Sequence, residues 1–225
     1  MTQMITAQAR KATRPTALAL FTGLILAAGA VFTAMPILKA NAEPITVPSG
    51  TYVLDPTHAS IIWKVSHLGL SDYTARFNRF DATVDFNVED PAASSVQVSI
   101  DPTSVDTDYP NAETKDFNAK LAYQADFFDA DQFPAITFTS TGIEVTGDRT
   151  AIIRGNLEFL GVSKEIALDT TMNGFLENHP FANIPAIGFS GTTTIDRTEW
   201  GMGWGQGAVG NEVEILIEAE FFKAQ

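Results

Sequence analysis

The feature that most constrains the fold of this chain is an alternation of apolar and polar residues that recurs from Thr51 to the C-terminus. A period of two is typical of strands that bury one face and expose the other. The clearest runs are residues 61–68, 80–88, 96–100, 153–159 and 212–221. Turn signals such as Asp90-Pro91 and Asp101-Pro102 separate the runs. We therefore expect an all-β fold of seven or more antiparallel strands, arranged as a sandwich or a barrel.

One segment, residues 111–128, lacks the alternation. It places Phe117, Leu121 and Phe128 at near-helical intervals, which predicts a short helix. We expect this helix to end before Pro134, because proline cannot continue a helix. No internal repeat or shift in composition follows, so residues 43–225 are predicted to form a single domain.

The first 42 residues differ from the rest of the chain in charge. They contain four basic residues and no acid, and an uncharged apolar run covers residues 17–34. Ala40-Asn41-Ala42 then supplies the small residues that a signal peptidase reads. We predict that residues 1–42 are a signal peptide cleaved after Ala42, which leaves a soluble periplasmic protein. An uncleaved membrane anchor is the alternative, because the apolar run is borderline in length for spanning a bilayer.

The predicted mature domain is strongly acidic. The whole chain has 14 basic and 27 acidic residues, and removing the four basic residues of 1–42 leaves residues 43–225 with a net charge of −17. Such a polyanion repels nucleic-acid phosphates, so we exclude nucleic acid as a partner. The chain has no cysteine, which excludes disulfides and thiolate catalysis.

The sequence offers little for catalysis, a metal or a cofactor. Residues 205–210 read G-x-G-x-x-G, but the residues that follow alternate like a strand, whereas a dinucleotide site needs a helix there. A hairpin loop is the better interpretation. The three histidines are not spaced as metal ligands, and no nucleophile elbow is present. We therefore predict no enzymatic activity, no metal site and no cofactor.

The predicted inner faces are rich in aromatic residues, and the chain has 16 phenylalanines in total. A closed barrel of about eight strands is just wide enough to hold one small ligand. Apolar walls with a few polar groups are typical of small-molecule pockets. His67 falls on an inner face and could be either a core residue or a contact for a ligand head group. Packing alone would also explain the aromatics, so both interpretations stay open.

Several motifs in a fixed order carry a family resemblance: 52–60 (YVLDPTHAS), 63–71 (WKVSHLGLS), 76–80 (RFNRF), 126–129 (DFFD), 133–140 (FPAITFTS), 155–164 (GNLEFLGVSK) and 195–201 (IDRTEWG). On these residues the chain resembles the YceI-like family of lipocalin-like, polyisoprenoid-binding periplasmic proteins. One departure is Ala75, where the family usually has glycine, and we expect it to change at most a local bend.

The resemblance implies an extended eight-stranded antiparallel lipocalin-like β-barrel with a short helix near one end. It also implies a long apolar cavity for an isoprenoid or a related long-chain amphiphile, no catalytic residues, and a possible homodimer. His67 and Arg197 are the expected contacts for a polar head such as a quinone carbonyl or a phosphate. The residues expected to bind the ligand are Trp63, Val65, His67, Phe80, Phe138, Phe159, Phe189, Arg197 and Ile215.

Two alternatives to a lipid carrier remain at this stage. The first is an enzyme that acts on a lipid inside the barrel. The second is a stress-response interaction module whose barrel is filled by its own side chains, since small barrels are often fully packed.

Overall fold

The structure is a computed structural model that describes residues 44–225, so the predicted signal peptide lies outside the described residues. Within 44–225 the chain forms one α-helix and ten strands. Their bounds are β1 Gly50–His67, β2 Ser71–Phe77, β3 Phe80–Phe86, β4 Ser95–Ile100, β5 Val105–Asp106, α1 Phe117–Tyr123, β6 Ile136–Val145, β7 Thr150–Phe159, β8 Val162–Leu176, β9 Ala186–Asp196 and β10 Val209–Lys223.

Eight of these strands close into an antiparallel barrel. Hydrogen bonding runs in the order β1, β3, β4, β6, β7, β8, β9 and β10, and β10 pairs back with β1. The closing pair extends from Tyr52 opposite Lys223 to His67 opposite Val209. Closure leaves these strands without a free edge, which removes the main route to edge-to-edge aggregation. The predicted eight-stranded barrel is confirmed.

The two remaining strands extend the barrel wall at one end. The first residues of β1 pair with β3, and its last residues, from Ile61 onward, pair with β2. Strand β2 therefore lies in line with β3 along the same edge of β1, separated from it by Asn78 and Arg79. Strand β5 pairs with β2 and adds a short outer segment. The departure at Ala75 leaves the pairing undisturbed, since Ala75 lies in regular register with Trp63.

Short loops connect the strands at the two ends of the barrel. We name the end that carries α1 and loops 68–70, 160–161 and 197–208 the helix end. The opposite end carries loops 87–94, 146–149 and 177–185. At the helix end, residues 205–208 lie in the connection between β9 and β10, so the G-x-G-x-x-G sequence opens a strand and not a helix.

Helix α1 is shorter than the segment that predicted it. The Asp116 side chain caps its first turn by accepting a hydrogen bond from the Ala119 amide at 2.8 Å. Leu121 and Ala122 are buried and join the core at the helix end. No helix in the described part of the chain is long and apolar enough to cross a membrane.

Candidate ligand-binding site

Two apolar cavities occupy the interior of the barrel, one towards each end. The cavity at the helix end has a volume of about 460 Å³, and the cavity at the opposite end has a volume of about 180 Å³. The larger volume falls within the roughly 300–1,000 Å³ typical of small-molecule sites. The inward residues of the alternating strands form the walls of both cavities, which is the physical consequence of the period-two pattern.

Four aliphatic side chains line both cavities and therefore form the boundary between them. They come from four strands, β1, β4, β8 and β10, and are Ile61, Val98, Leu168 and Ile217. We call this group the waist. Ile61 and Ile217 face each other in the closing strand pair. The waist contains no polar atom in its side chains, so a hydrocarbon chain that crossed it would stay in an apolar environment.

All nine residues that the sequence predicted to bind a ligand line one of the two cavities. Seven line the larger cavity at the helix end, namely Trp63, Val65, His67, Phe138, Phe159, Arg197 and Ile215. Phe80 and Phe189 line the smaller cavity at the opposite end. The predicted ligand-binding residues are therefore divided between the two cavities. Contact of these residues with a ligand stays a prediction.

Arg197 is buried, and its guanidinium is bound to backbone carbonyls of the 197–208 loop and of the first two residues of β10. It donates hydrogen bonds to the carbonyls of Gly210 at 2.8 Å, Met202 at 2.6 Å and Val209 at 3.2 Å. Burial lowers the pKa of Arg197 below its ordinary value, and the neighbouring Asp196 opposes that shift. These bonds fix the loop that precedes β10, so Arg197 helps to shape the rim of the larger cavity.

His67 occupies the other position that the sequence analysis associated with a head group. It is the last residue of β1, it is exposed, and it lines the larger cavity. Exposed Trp204 and Ala208 line the same cavity. These residues place the opening of the larger cavity at the helix end.

Two buried polar atoms in the wall of the larger cavity lack hydrogen-bond partners among the described residues. They are Trp63 Nε1 and the Tyr73 hydroxyl oxygen. Tyr73 is paired with Val65 in register, so Trp63 and Tyr73 are diagonal neighbours on the inner face, with ring centroids 6.5 Å apart. A buried donor without a partner costs about 1–3 kcal/mol. An acceptor atom supplied by a ligand would recover that cost.

Sequence reasoning missed Tyr73, although a signal for it existed. Ser71, Tyr73, Ala75 and Phe77 alternate with polar residues in the short run that became β2. The run is brief and follows the tight turn at Gly69, so alternation alone does not show which of its faces points inward. Lys115 and Lys120 also line the larger cavity. Both fall within the segment predicted to contain a helix, but a helical pattern does not show where that helix packs on the barrel.

The smaller cavity is partly covered by the chain that precedes β1. Ile45 lines this cavity, and Val47 is 1% exposed. Fully buried Tyr52 donates a hydrogen bond from its hydroxyl to the Pro48 carbonyl at 2.8 Å and so holds the segment in place. The segment before β1 therefore closes part of the opposite end.

A group of titratable side chains lies outside the lining of both cavities. Residues 55–58 form an irregularity in β1, where the register with β10 shifts between Leu54 and Ala59. The His58 Nδ1 atom lies 2.7 Å from the Asp55 Oδ2 atom, and Glu220 lies close enough for the three side chains to surround a cation. Thr57 also donates its hydroxyl to Asp55 at 2.6 Å. These contacts stabilise the irregularity in β1, which gives the group a structural role.

Comparison with known proteins agrees with this architecture. The family profile for the YceI-like domain matches residues 52–221, which covers the barrel from the start of β1 into β10. The chain belongs to the YceI-like family. A UPF0312 protein of Shewanella baltica (strain OS185) is 34% identical over 179 residues, which cover 79% of this chain and 90% of that protein.

Several solved structures share the fold. The Campylobacter jejuni YCEI protein has a TM-score of 0.61 at 26% identity, with coverage of 72% of this chain and 91% of that one. Burkholderia cenocepacia BcnA has a TM-score of 0.64 at 23% identity, with coverage of 74% and 98%. A domain of Saccharophagus degradans, described as polyisoprenoid-binding and implicated in plant cell wall breakdown, has a TM-score of 0.58 at 12% identity, with coverage of 79% and 100%.

Proposed function

We propose that this protein is a periplasmic carrier that holds an isoprenoid or related long-chain amphiphile inside its barrel. The observation that supports this most is the pair of apolar cavities that meet at an aliphatic waist. A fully packed barrel, as expected for an interaction module, would leave no such volume. The polyisoprenoid binding described for the Saccharophagus degradans domain is consistent with the same use of the fold.

Burial of hydrocarbon provides the driving force in this proposal. Each CH₂ group removed from water contributes about 0.8 kcal/mol, so a chain of several isoprene units binds tightly without a precise polar network. The carrier would shield such a chain while it crosses the aqueous periplasm. Its acidic outer surface, with a net charge of −17 over residues 43–225, would keep the loaded protein soluble.

A binding role is favoured over a catalytic one because the clustered acidic and histidine side chains at the β1 irregularity lie away from both cavities. The Asp55, His58 and Glu220 group lies outside the residues that line either cavity. A lipid held in the barrel would therefore not meet it. We expect the bound lipid to leave the protein chemically unchanged.

Native mass spectrometry of the purified mature protein tests the proposal. We expect a stoichiometric lipid adduct, identified after extraction, or uptake of an added isoprenoid such as farnesol. A bare protein mass that persists after incubation with isoprenoids would refute the carrier. Chemical conversion of the added lipid would instead support an enzyme.

A further inference from the structure

The charges around the larger cavity are the reverse of those on the rest of the domain. Residues 43–225 contain 10 basic and 27 acidic residues. The described residues that line the cavity at the helix end nevertheless include Lys115, Lys120 and Arg197, and none of them is Asp or Glu. The charged side chains that line this cavity are therefore all cationic, although the domain as a whole is acidic.

Aromatic rings contact the ammonium groups of the two lysines, and neither lysine forms an ion pair within residues 44–225. The Lys115 Nζ atom lies 4.9 Å from the ring centroid of Phe117 and 5.3 Å from that of Tyr109. The Lys120 Nζ atom lies 5.1 Å from the ring centroid of Trp204 and 5.3 Å from that of Phe127. A cation–π contact orients an ammonium group without cancelling its charge. Across residues 44–225, neither ammonium lies within ion-pair distance of a carboxylate.

The position of these cations suits the polar end of an amphiphile. Lys115 is exposed and Lys120 is half-buried. Both belong to the connection between β5 and β6, residues 107–135, which carries α1 at the helix end and is called the covering segment. The walls below them become aliphatic and aromatic towards the waist. An amphiphile with its head at the lysines therefore has its tail directed into the barrel. The unpartnered Trp63 Nε1 and Tyr73 hydroxyl lie in the same cavity wall and add donors for an oxygen acceptor.

We propose that the larger cavity selects amphiphiles whose head group is an oxyanion, either a carboxylate or a phosphate, held by Lys115 and Lys120. This inference rests on the proposed carrier function and narrows it to one class of head group. Arg197 contributes positive potential, and its hydrogen bonds are directed to the backbone. Neutral head groups of the same chain length gain the apolar burial but not the attraction to the two ammonium groups.

Three ligands with the same isoprenoid chain test the proposal: farnesyl phosphate, farnesoic acid and farnesol. Dissociation constants are measured at pH 7 by isothermal titration, for the wild type and for the double variant Lys115→Gln with Lys120→Gln. We expect the wild type to bind the two anions at least about tenfold more tightly than farnesol, the factor expected for a hydrogen bond to a charged group. In the double variant the dissociation constants of the two anions should rise until they approach that of farnesol.

A matched control is Lys164→Gln. Lys164 also lies over an aromatic ring, with its Nζ atom 5.8 Å from the centroid of the Trp200 ring, but it does not line either cavity. This variant should keep the full preference for anions. A second double variant, Lys115→Arg with Lys120→Arg, keeps both positive charges and should keep the preference for anions. Higher salt should weaken binding of the anions and leave farnesol unaffected.

The outcomes separate this proposal from the carrier function. Equal affinity for all three ligands, unchanged by the lysine substitutions, would overturn the head-group assignment while the carrier function stood. Failure of all three ligands to bind a folded wild-type protein would overturn the carrier function and, with it, this assignment.

Discussion

At the residue scale, the hydroxyl of Tyr73 is expected to lower the stability of the ligand-free protein and to strengthen ligand binding. Its hydroxyl is buried and has no partner among the described residues. Replacing Tyr73 with Phe removes the hydroxyl and keeps the ring that packs against Phe117 at a centroid distance of 5.9 Å. We expect the ligand-free variant to gain about 1 kcal/mol in free energy of unfolding, measured in urea. We expect the same variant to bind farnesyl phosphate several-fold more weakly.

The opposite signs of the two effects make this prediction specific. Tyr109 is a suitable control, because it lines the same cavity but is not among the buried hydroxyls that lack a partner. Tyr109→Phe should change neither quantity by a comparable amount. If Tyr73→Phe lowered stability and left binding unchanged, its hydroxyl would already be satisfied in the free protein.

A second prediction at this scale concerns the pH dependence of stability at the β1 irregularity. The pKa of His58 is raised above 6.5, first by its hydrogen bond to Asp55, against some desolvation. Burial of Asp55 opposes its ionisation, but hydrogen bonds from His58 and Thr57 outweigh that effect and hold the pKa of Asp55 below 3.8. The His58 contribution is complete below pH 6.5 and is lost as the pH rises through the raised pKa. The Asp55 contribution is complete above pH 3.8 and is lost as the pH falls through the lowered pKa.

The pair is therefore most stabilising between about pH 4 and 6.5. We expect His58→Asn to lower the melting temperature more at pH 5.5 than at pH 8.5, as measured by circular dichroism. His67→Asn provides the control, since His67 is an exposed histidine at the far end of the same strand. A loss that is the same at both pH values would show that His58 acts through its shape alone.

Residue patterns predicted which side chains face the interior, but they did not predict the hydrogen bonds and positions of the polar ones. Alternation placed Trp63, His67 and Ile215 on inner faces, and each of them lines the larger cavity. It could not show that Arg197 would bind three backbone carbonyls, because one of them lies in the loop before β10 and two lie at the start of β10, and no periodicity describes how these positions approach Arg197. It could not place Lys115 and Lys120 either, since their position depends on how the covering segment folds over the barrel.

At the element scale, β6 and β7 approach closely at an inward glycine. A Cβ atom added at Gly155 would lie 2.4 Å from the Phe138 Cζ atom and 2.6 Å from the Thr139 carbonyl oxygen. Rotation of the Phe138 ring would relieve the first contact, but the Thr139 carbonyl belongs to the paired strand and cannot move without breaking the hydrogen bonds between β6 and β7. We expect Gly155→Ala to lower the free energy of unfolding by about 1–3 kcal/mol, the cost typical of overpacking.

The control for this prediction is Gly174→Ala in β8. A Cβ atom added at Gly174 has nothing within 4 Å, and alanine restricts the unfolded chain more than glycine does. Its stability should equal or slightly exceed that of the wild type. Urea unfolding of both variants provides the measurement. A Gly155→Ala protein as stable as Gly174→Ala would mean that β6 and β7 can separate at no cost.

The elements themselves followed from the sequence to different extents. Strands with long alternating runs, such as β3 and β10, appear where the pattern predicted them. The helix was predicted within 111–128 and occupies Phe117–Tyr123, because Asp116 caps its start and the chain turns after Tyr123 to bury Phe127. Strands β2 and β3 share one edge of the long strand β1. This arrangement depends on pairing between distant parts of the chain, which no local sequence pattern shows.

At the scale of the whole molecule, the waist determines how far a long hydrocarbon ligand can enter the barrel. The family resemblance implied one long cavity, and the structure has two that meet at the waist. The waist arises from side chains on four strands that are far apart in sequence, so their meeting could not be derived from alternation. A chain that fills the larger cavity must displace these side chains before it enters the smaller one.

This arrangement predicts a step in affinity as the ligand grows longer. In a series of saturated primary alcohols, each added CH₂ group should strengthen binding about fourfold while the larger cavity fills, since it contributes about 0.8 kcal/mol. The gain should stop when the chain reaches the waist and resume once the chain has passed it. Competition against a fluorescent fatty alcohol, one chain length at a time, measures the dissociation constants.

Leu168→Ala should remove the plateau, because Leu168 lines both cavities and its truncation opens a path between them. The substitution should also lower the free energy of unfolding of the ligand-free protein by about 2–5 kcal/mol, the usual cost of truncating a buried leucine. Leu157 is the matched control, since it is equally buried but lines only the larger cavity. Leu157→Ala should cost similar stability and keep the plateau, although the added volume should shift it to longer chains. A smooth rise in affinity with chain length in the wild type would show that the waist offers no resistance and that the two cavities act as one.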